Sequence, residues 1–133
     1  MRHIQFDVEL FRTPESRKAS EVAMRGMLAG LCIVNMSYLR THPNTPALYE
    51  SGVRYRREPM GEETWQDIPN LIARGYGDCE DLACWLVADR RVRQKIRAKP
   101  HLTYRKDGNL YRYHVTVVYP NGLVEDPSRK LGM

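Results

Sequence analysis

Cysteine is scarce in this chain of 133 residues, and its three copies exclude two common kinds of site. An odd number leaves one thiol over in any pairing scheme, so we expect no disulfide framework. Cys79 and Cys84 lie five positions apart, with no histidine at a zinc-site interval. We therefore expect no metal site and no cofactor, and we predict that Cys32 and Cys84, which lie in apolar segments, belong to the core.

Long apolar runs and sequence repeats are also missing. No run approaches the ~18 residues that a membrane span needs, and the first residues lack the apolar stretch of a signal peptide. We therefore expect a cytoplasmic protein without membrane contact. Hydrophobic residues make up 42% and charged residues 28%, which is typical of a folded domain. Without low-complexity linkers, residues 1–133 are predicted to form a single domain.

Acidic residues are outnumbered by basic ones, 16 to 21, which gives a formal charge of +5. Such an excess favours acidic partners, nucleic acid included. No nucleic-acid-binding motif accompanies the charge, so we attribute it to a solvated surface and expect no nucleic-acid partner. The excess is concentrated at Arg54, Arg56, Arg57, Arg90, Arg91, Arg93, Lys95, Arg97 and Lys99.

The first long segment has the signals of a helix. Residues 13–15, Thr-Pro-Glu, predict its start, and Pro43 predicts its end near Thr41. Gly26 and Gly30, one turn apart, would let another element approach closely. The predicted apolar face consists of Val22, Met24, Met27, Leu28, Leu31, Val34, Tyr38 and Leu39.

Shorter helices are predicted in the middle of the chain. One covers 63–73, and the next runs from Asp78 or Cys79 to about Ala98. Residues 53–56 favour a short strand, and residues 1–12 an extended arm or edge strand.

After Pro100 the pattern changes to strands, predicted over 102–105, 110–119 and 123–126 and separated by turn signals. Helices followed by a strand meander predict an α+β domain, with the helices packed on an antiparallel sheet.

Cys79 lies where the third predicted helix begins. Unpaired amides and the helix dipole favour an anion there, which would activate a thiol. Gly77 permits a tight turn and Asp78 can cap the helix, which would leave the Cys79 amide to donate to a substrate oxyanion. Asp78, Glu80 and Asp81 place three acids around the thiol and raise its pKa, so activation requires a histidine. A buried structural cysteine is the competing interpretation.

His114 and Asp126 are the candidates for a base and its orienting acid, if the turn between their strands brings them to one face. A two-residue turn at Asn121-Gly122 would place them on opposite faces of the sheet. A three-residue loop over 120–122 pairs Tyr119 with Leu123 and places both side chains on one face. The residues of the loop favour this second register, with positive φ at Gly122.

Three segments, taken in order, resemble the transglutaminase-like superfamily of the papain-like cysteine-nucleophile fold. They are residues 77–83, Gly-Asp-Cys-Glu-Asp-Leu-Ala, then His114 in a strand, then residues 126–128, Asp-Pro-Ser. The recognisable core covers about residues 63–128. The resemblance implies a papain-like core with the nucleophile at a helix N-terminus.

The resemblance also implies a function. Cys79 would attack an amide carbonyl of a protein or peptide substrate, His114 would carry the proton, and Asp126 would hold the imidazole. The acyl group would pass to water or to an amine, as in a peptidase, deamidase or cross-linking enzyme. A second oxyanion donor would come from Trp65 or Gln66.

The chain is also similar to small transglutaminase-like proteins of phages. This similarity implies a second function class, a non-catalytic member of the fold that acts as a virion structural or assembly protein and binds other virion proteins. Cysteine labelling separates the two classes, because an activated thiol reacts below the ordinary pKa of ~8.5.

Overall fold

In the computed structural model, described for residues 10, 15–59, 63–108 and 110–133, helices pack against one face of a small antiparallel sheet. This is an α+β fold, as predicted. The helices are α1 (Ser16–Thr41), α2 (Ile68–Arg74), α3 (Cys79–Arg93) and α4 (Pro127–Lys130), with a 3-10 turn at Leu48–Glu50. The strands are β1 (Arg54–Tyr55), β2 (Tyr76–Gly77), β3 (Lys99–Asp107), β4 (Leu110–Val118) and β5 (Val124–Glu125).

Helix α1 ends at Thr41, as predicted, but its apolar face is narrower than the sequence suggested. Met24, Leu28 and Leu39 are buried against the core, whereas Val22 and Val34 are more than half exposed. The prediction was wrong for these two valines because α3 covers one side of α1, and they lie on the other. The predicted cap, Thr13, lies outside the described residues, as does the arm predicted over residues 1–12 except for Leu10, which is not in a strand.

One 18-residue window of α1 is long and apolar enough, by length and composition, to cross a membrane. That finding differs from the expectation that no segment would meet this test. Core helices of water-soluble proteins, which are mostly buried, and N-terminal signal sequences meet this test too, so it is weak evidence for a membrane span. In this domain 28% of the window is buried.

Helix α2 begins five residues later than predicted. Asp67 is its N-cap and accepts a hydrogen bond from the Asn70 amide at 3.2 Å, and Pro69 lies in the first turn. A proline in the first turn cannot donate a helical hydrogen bond, and Asp67 supplies a cap, so these two residues define the start. The predicted short strand is β1, which pairs in parallel with β2, an element that the sequence pattern did not indicate.

Helix α3 forms the centre of the core, and Trp85 is its largest fully buried side chain. It ends at Arg93, five residues before the predicted end, because Lys95 adopts a φ of +57° that a continuing helix cannot accommodate. Cys84 and Cys32 are both fully buried, which confirms their placement in the core.

Strands β3, β4 and β5 form the predicted antiparallel meander in sequential order. The turn between β4 and β5 has the three-residue form: the Tyr119 amide donates to the Leu123 carbonyl at 2.9 Å, and Gly122 has a φ of +86°. Both predictions about this turn are confirmed. The register places His114 and Asp126 on the same face of the sheet.

A hydrogen-bond network around Glu125 holds β5 in place. Its carboxylate accepts from the Tyr49 hydroxyl and the Lys130 ammonium, each at 2.7 Å, and from the Tyr119 hydroxyl. Arg90 of α3 lies 3.4 Å away. Burial opposes ionisation of Glu125, but the bonds from these donors outweigh it and lower the pKa of Glu125 to about 2. The network anchors the residue next to Asp126.

The Glu125→Gln variant should therefore be less stable at neutral pH by about 2 kcal/mol, because hydrogen bonds to a charged acceptor are stronger than those to an amide. A carboxyl whose folded pKa is depressed stabilises the protein above the unfolded pKa. The difference in the free energy of unfolding between the wild type and Glu125→Gln should shrink as the pH falls from about 4.5 to about 2. Urea denaturation at several pH values measures it, and Glu50→Gln, at an exposed glutamate, is the control. A difference that persists at pH 2 would contradict the assignment.

Candidate active site

Cys79 is the first residue of α3, at the position that the sequence predicted for a nucleophile. Only 5% of the residue is exposed, and its thiol donates to Glu80 Oε2 at 3.4 Å. Burial first, and then the carboxylates of Glu80 and Asp78, raise the pKa of Cys79 well above its usual range. The thiol is therefore protonated at neutral pH in this conformation.

The start of α3 is fixed by a reciprocal cap. Asp78 is the N-cap, and the Asp81 carboxylate accepts from the Asp78 amide at 3.0 Å. The Cys79 amide donates to Asp78 Oδ1 at 2.7 Å. The expectation that this amide would be available to an oxyanion was therefore wrong for this conformation, because the capping carboxylate already accepts its hydrogen.

His114 and Asp126 meet across the β4–β5 pair. His114 Nε2 lies 2.8 Å from Asp126 Oδ2, and both side chains are partly exposed. The backbone amide of Arg129 donates to the other Asp126 oxygen, Oδ1, at 3.3 Å, which restrains the carboxylate at the start of α4. A carboxylate on Nε2 places the proton of a neutral imidazole there, so Nδ1 carries the lone pair and can act as a base.

Helix α3, whose first residue is Cys79, packs against β4, the strand that carries His114. The Val115 backbone amide donates to the Cys79 sulfur and lowers the pKa of Cys79, although less than burial and the acids raise it. Val115 follows His114 directly in the strand. The helix N-terminus that carries the thiol and the strand that carries the base are thus in contact at this point.

Two acids, Asp78 and Glu80, lie close to the thiol, and Glu63 is in turn a neighbour of Glu80. Burial and the neighbouring acids Asp81, Asp78 and Glu63 raise the pKa of Glu80 well above its usual range. Burial likewise raises the pKa of Glu63, with hydrogen bonds from the Tyr113 hydroxyl and the Trp65 indole opposing the shift.

The Tyr113 hydroxyl donates to Glu63 Oε2 at 2.6 Å. Glu80 is fully buried, and its Oε1 has no hydrogen-bond partner among the described residues. The sequence analysis recognised the acids next to Cys79 but not Glu63 or Tyr113, because no local motif connects residues so far apart in the chain.

The two predicted oxyanion donors, Trp65 and Gln66, take different positions. Trp65 is half-buried and contacts Glu63 through its indole. Gln66 is buried, and its Nε2 donates to Asp81 Oδ2 at 3.3 Å while its backbone amide donates to Asp81 Oδ1 at 2.7 Å. Gln66 therefore supports the cap of α3, and in this conformation its amide group is bonded away from any substrate.

Replacing Glu80 with glutamine should increase the reactivity of Cys79. The charge of Glu80 and its hydrogen bond with the thiol are among the causes that raise the pKa of Cys79. Glutamine removes that charge, so we expect alkylation by iodoacetamide at pH 8 to 9 to accelerate about tenfold, the effect of one pKa unit.

Mass spectrometry assigns the label to Cys79, because Cys32 and Cys84 are fully buried. Asp89→Asn, at another buried acid of α3, is the matched control and should leave the rate unchanged. An unchanged rate in Glu80→Gln would show that burial alone suppresses the thiolate.

The arrangement combines a thiol at a helix N-terminus, an imidazole with a free Nδ1 lone pair, and a carboxylate that orients the ring. Such a set can perform nucleophilic attack on a carbonyl once the thiol proton moves to the imidazole. Comparison with known proteins adds no constraint, since no family model, curated protein or solved structure matches the chain.

Proposed function

We propose that this domain is a cysteine-dependent acyl transferase or amide hydrolase with a transglutaminase-like, papain-like core and protein or peptide substrates. The observation that carries the proposal is the 2.8 Å bond between His114 Nε2 and Asp126 Oδ2, made by strand β4, against which the helix that begins at Cys79 packs. The carboxylate on Nε2 orients the imidazole and leaves Nδ1 for proton transfer, which is the arrangement that a general base requires.

In the proposed step the Cys79 thiol gives its proton to His114 Nδ1, and the sulfur forms a bond to the acyl carbon. The amine leaves with the proton from His114, so a thioester remains and the imidazole is neutral again. Water or a second amine then attacks the thioester and loses its proton to His114. The Cys79 sulfur leaves the acyl carbon and takes that proton from His114, which restores the thiol and the neutral imidazole. Asp126 stabilises the imidazolium that forms in each half-reaction.

The resting thiol is protonated and bonded to Glu80, so it must exchange this partner for His114 when substrate binds. A raised thiol pKa makes the general base necessary, since little thiolate exists at neutral pH. This dependence on His114 distinguishes the mechanism from that of a preformed thiolate.

Acylation by 4-nitrophenyl acetate tests the proposal without knowledge of the natural substrate. We expect stoichiometric release of nitrophenol and an acetyl group on Cys79, detected by mass spectrometry, and no acetylation of Cys79→Ser. Hydroxylamine added to a blocked glutamine dipeptide then reports transfer to an amine, whereas ammonia release without hydroxamate reports hydrolysis. Equal acetylation of Cys79 and of surface lysines would show that Cys79 has no special reactivity and would contradict the proposed activity.

A second candidate function is that of a virion structural or assembly protein with the same fold and no catalysis, and one set of contacts supports the absence of catalysis. The Cys79 amide is bonded to Asp78, the thiol to Glu80, and Gln66 to Asp81, so each expected catalytic donor has an internal partner. Under this function Cys79→Ser would leave stability and binding unchanged, and no acyl-enzyme would form.

A further inference from the structure

The exposed side of α1 forms a continuous apolar strip, which we call the outer face. Val22 is 65% exposed and Ile33 63%, and both lie on the side of the helix opposite the core. The face is exposed along its full length and consists of Glu15, Ala19, Val22, Gly26, Ala29, Gly30, Ile33, Ser37 and Arg40. At helical spacing these residues lie within one side of the cylinder.

Nothing in the described part of the chain covers the middle of this face. A Cβ atom built on Gly26 or Gly30 would meet no atom within 4 Å. Among the described residues no element packs on the two glycines, where the sequence suggested that they would admit one. Glycine also makes a helix less stable than alanine does. Two glycines one turn apart on an exposed face therefore destabilise α1, and no packing contact among the described residues compensates.

The sizes of the side chains along the outer face follow the same order from either end, and the two end residues carry opposite charges. Read from the N-terminus it is an acid, a small residue, a large apolar residue and a glycine, and read from the C-terminus it is a base, a small residue, a large apolar residue and a glycine. An antiparallel copy would place Glu15 against Arg40 and Val22 against Ile33. Gly26 would then lie against Gly30.

We propose that a second copy of this chain docks on the outer face, with the two α1 helices antiparallel and crossing at Gly26 and Gly30. The contact is isologous, so one surface supplies both sides of the interface. Residues 16–41 span about 39 Å at 1.5 Å per residue, which is long enough for a helix-pair interface. Glycine at the crossing point lets the two backbones approach closely and bring the large residues into contact.

The charges at the two ends of the outer face favour an antiparallel over a parallel pair of helices. A parallel pair would set Glu15 against Glu15 and Arg40 against Arg40, whereas the antiparallel pair joins opposite charges at both ends. Met24 and Leu28 on the inner side are fully buried, so α1 would have to expose these core side chains in order to cross a bilayer.

Sedimentation velocity over a wide concentration range tests the association. We expect the wild type to dimerise and Ile33→Lys to raise the dimer dissociation constant about 30-fold or more, as for a central interface residue. The double variant Val22→Lys with Ile33→Glu should recover the dimer, because each new lysine faces a glutamate of the other copy. Ile72→Lys, at an exposed isoleucine of α2, should leave the dissociation constant unchanged.

Disulfide cross-linking tests the orientation in a Cys79→Ser background, which leaves only fully buried native thiols. An equal mixture of Ala19→Cys and Ser37→Cys proteins should form mixed dimers, while each protein alone should not. Dimers of each protein alone would indicate parallel helices and overturn the proposal. A wild type that stays monomeric, or that floats with phosphatidylcholine vesicles instead of dimerising, would also overturn it.

Discussion

His114→Ala is expected to slow acylation of Cys79 by 4-nitrophenyl acetate about 10³-fold, within the range for loss of a positioned general base. The effect should be large because the thiol pKa is raised, so the reaction depends on proton transfer to the imidazole. Asp126→Asn removes the carboxylate from Nε2 and should slow the reaction as well, since the ring loses both its orientation and the stabilisation of its charged form.

The matched control is His101→Ala. His101 is an exposed histidine on the neighbouring strand, paired with Thr116 in the ladder, so it has the same chemistry and a similar backbone setting. Its replacement should leave the acylation rate unchanged. If His114→Ala and His101→Ala react at the same rate while both remain folded by circular dichroism, the proposed base is wrong.

Asp81→Ala should produce the largest loss of stability among the residues of the site. The Asp81 carboxylate accepts from the Gln66 backbone amide, from Gln66 Nε2 and from the Asp78 amide. Alanine would leave the backbone amides of Gln66 and Asp78 without this acceptor, and each such buried donor costs roughly 1 to 3 kcal/mol, whereas Gln66 Nε2 keeps the Tyr76 carbonyl at 3.5 Å. We expect the free energy of unfolding to fall by about 3 kcal/mol or more.

Asp67→Ala provides the comparison, because Asp67 caps α2 at an exposed site with bonds to Asn70 alone. Its removal should cost about 1 kcal/mol, the usual value for an N-cap. Urea denaturation at constant pH measures both variants. A loss for Asp81→Ala no greater than that for Asp67→Ala would show that water or local rearrangement satisfies the freed donors.

The pH dependence of Asp81 follows from its surroundings. Burial raises the pKa of Asp81 to about 7, against the hydrogen bonds that lower it. A carboxyl with a raised folded pKa binds its proton more tightly in the folded protein than in the unfolded one. The contribution of Asp81 to the free energy of unfolding therefore falls as the pH rises from about 4 to about 7. The contribution of Glu125 changes in the opposite direction, because it grows as the pH rises.

The β4–β5 turn shows how far local chemistry can predict a site. Proline, asparagine and glycine at 120–122 have distinct backbone preferences, and these preferences alone determined the register that joins His114 to Asp126. The position of Cys79 was equally predictable, since the glycine and the capping aspartate before it are local signals.

Features that depend on distant residues could not be predicted in the same way. Periodicity identified an apolar side of α1 but could not show which part α3 would cover, so Val22 was placed in the core. The bonds of Gln66 to Asp81 join residues fifteen positions apart, and no local pattern signals them. Two-residue strands such as β1 and β2 are too short to carry an alternation.

The short strand β1 has a consequence for how the domain reaches its final form. Its Arg54 and Arg56 amides donate to the Gly75 and Gly77 carbonyls, whereas the Tyr55 amide donates to the Leu131 carbonyl at 3.0 Å. The sheet carrying His114 closes through local contacts, which form quickly, while the Tyr55 bond spans more than half the chain. During synthesis we expect β1 to pair with β2 first and to lack its bond to Leu131 until that residue has left the ribosome. The part of the domain next to Cys79 would then be completed last.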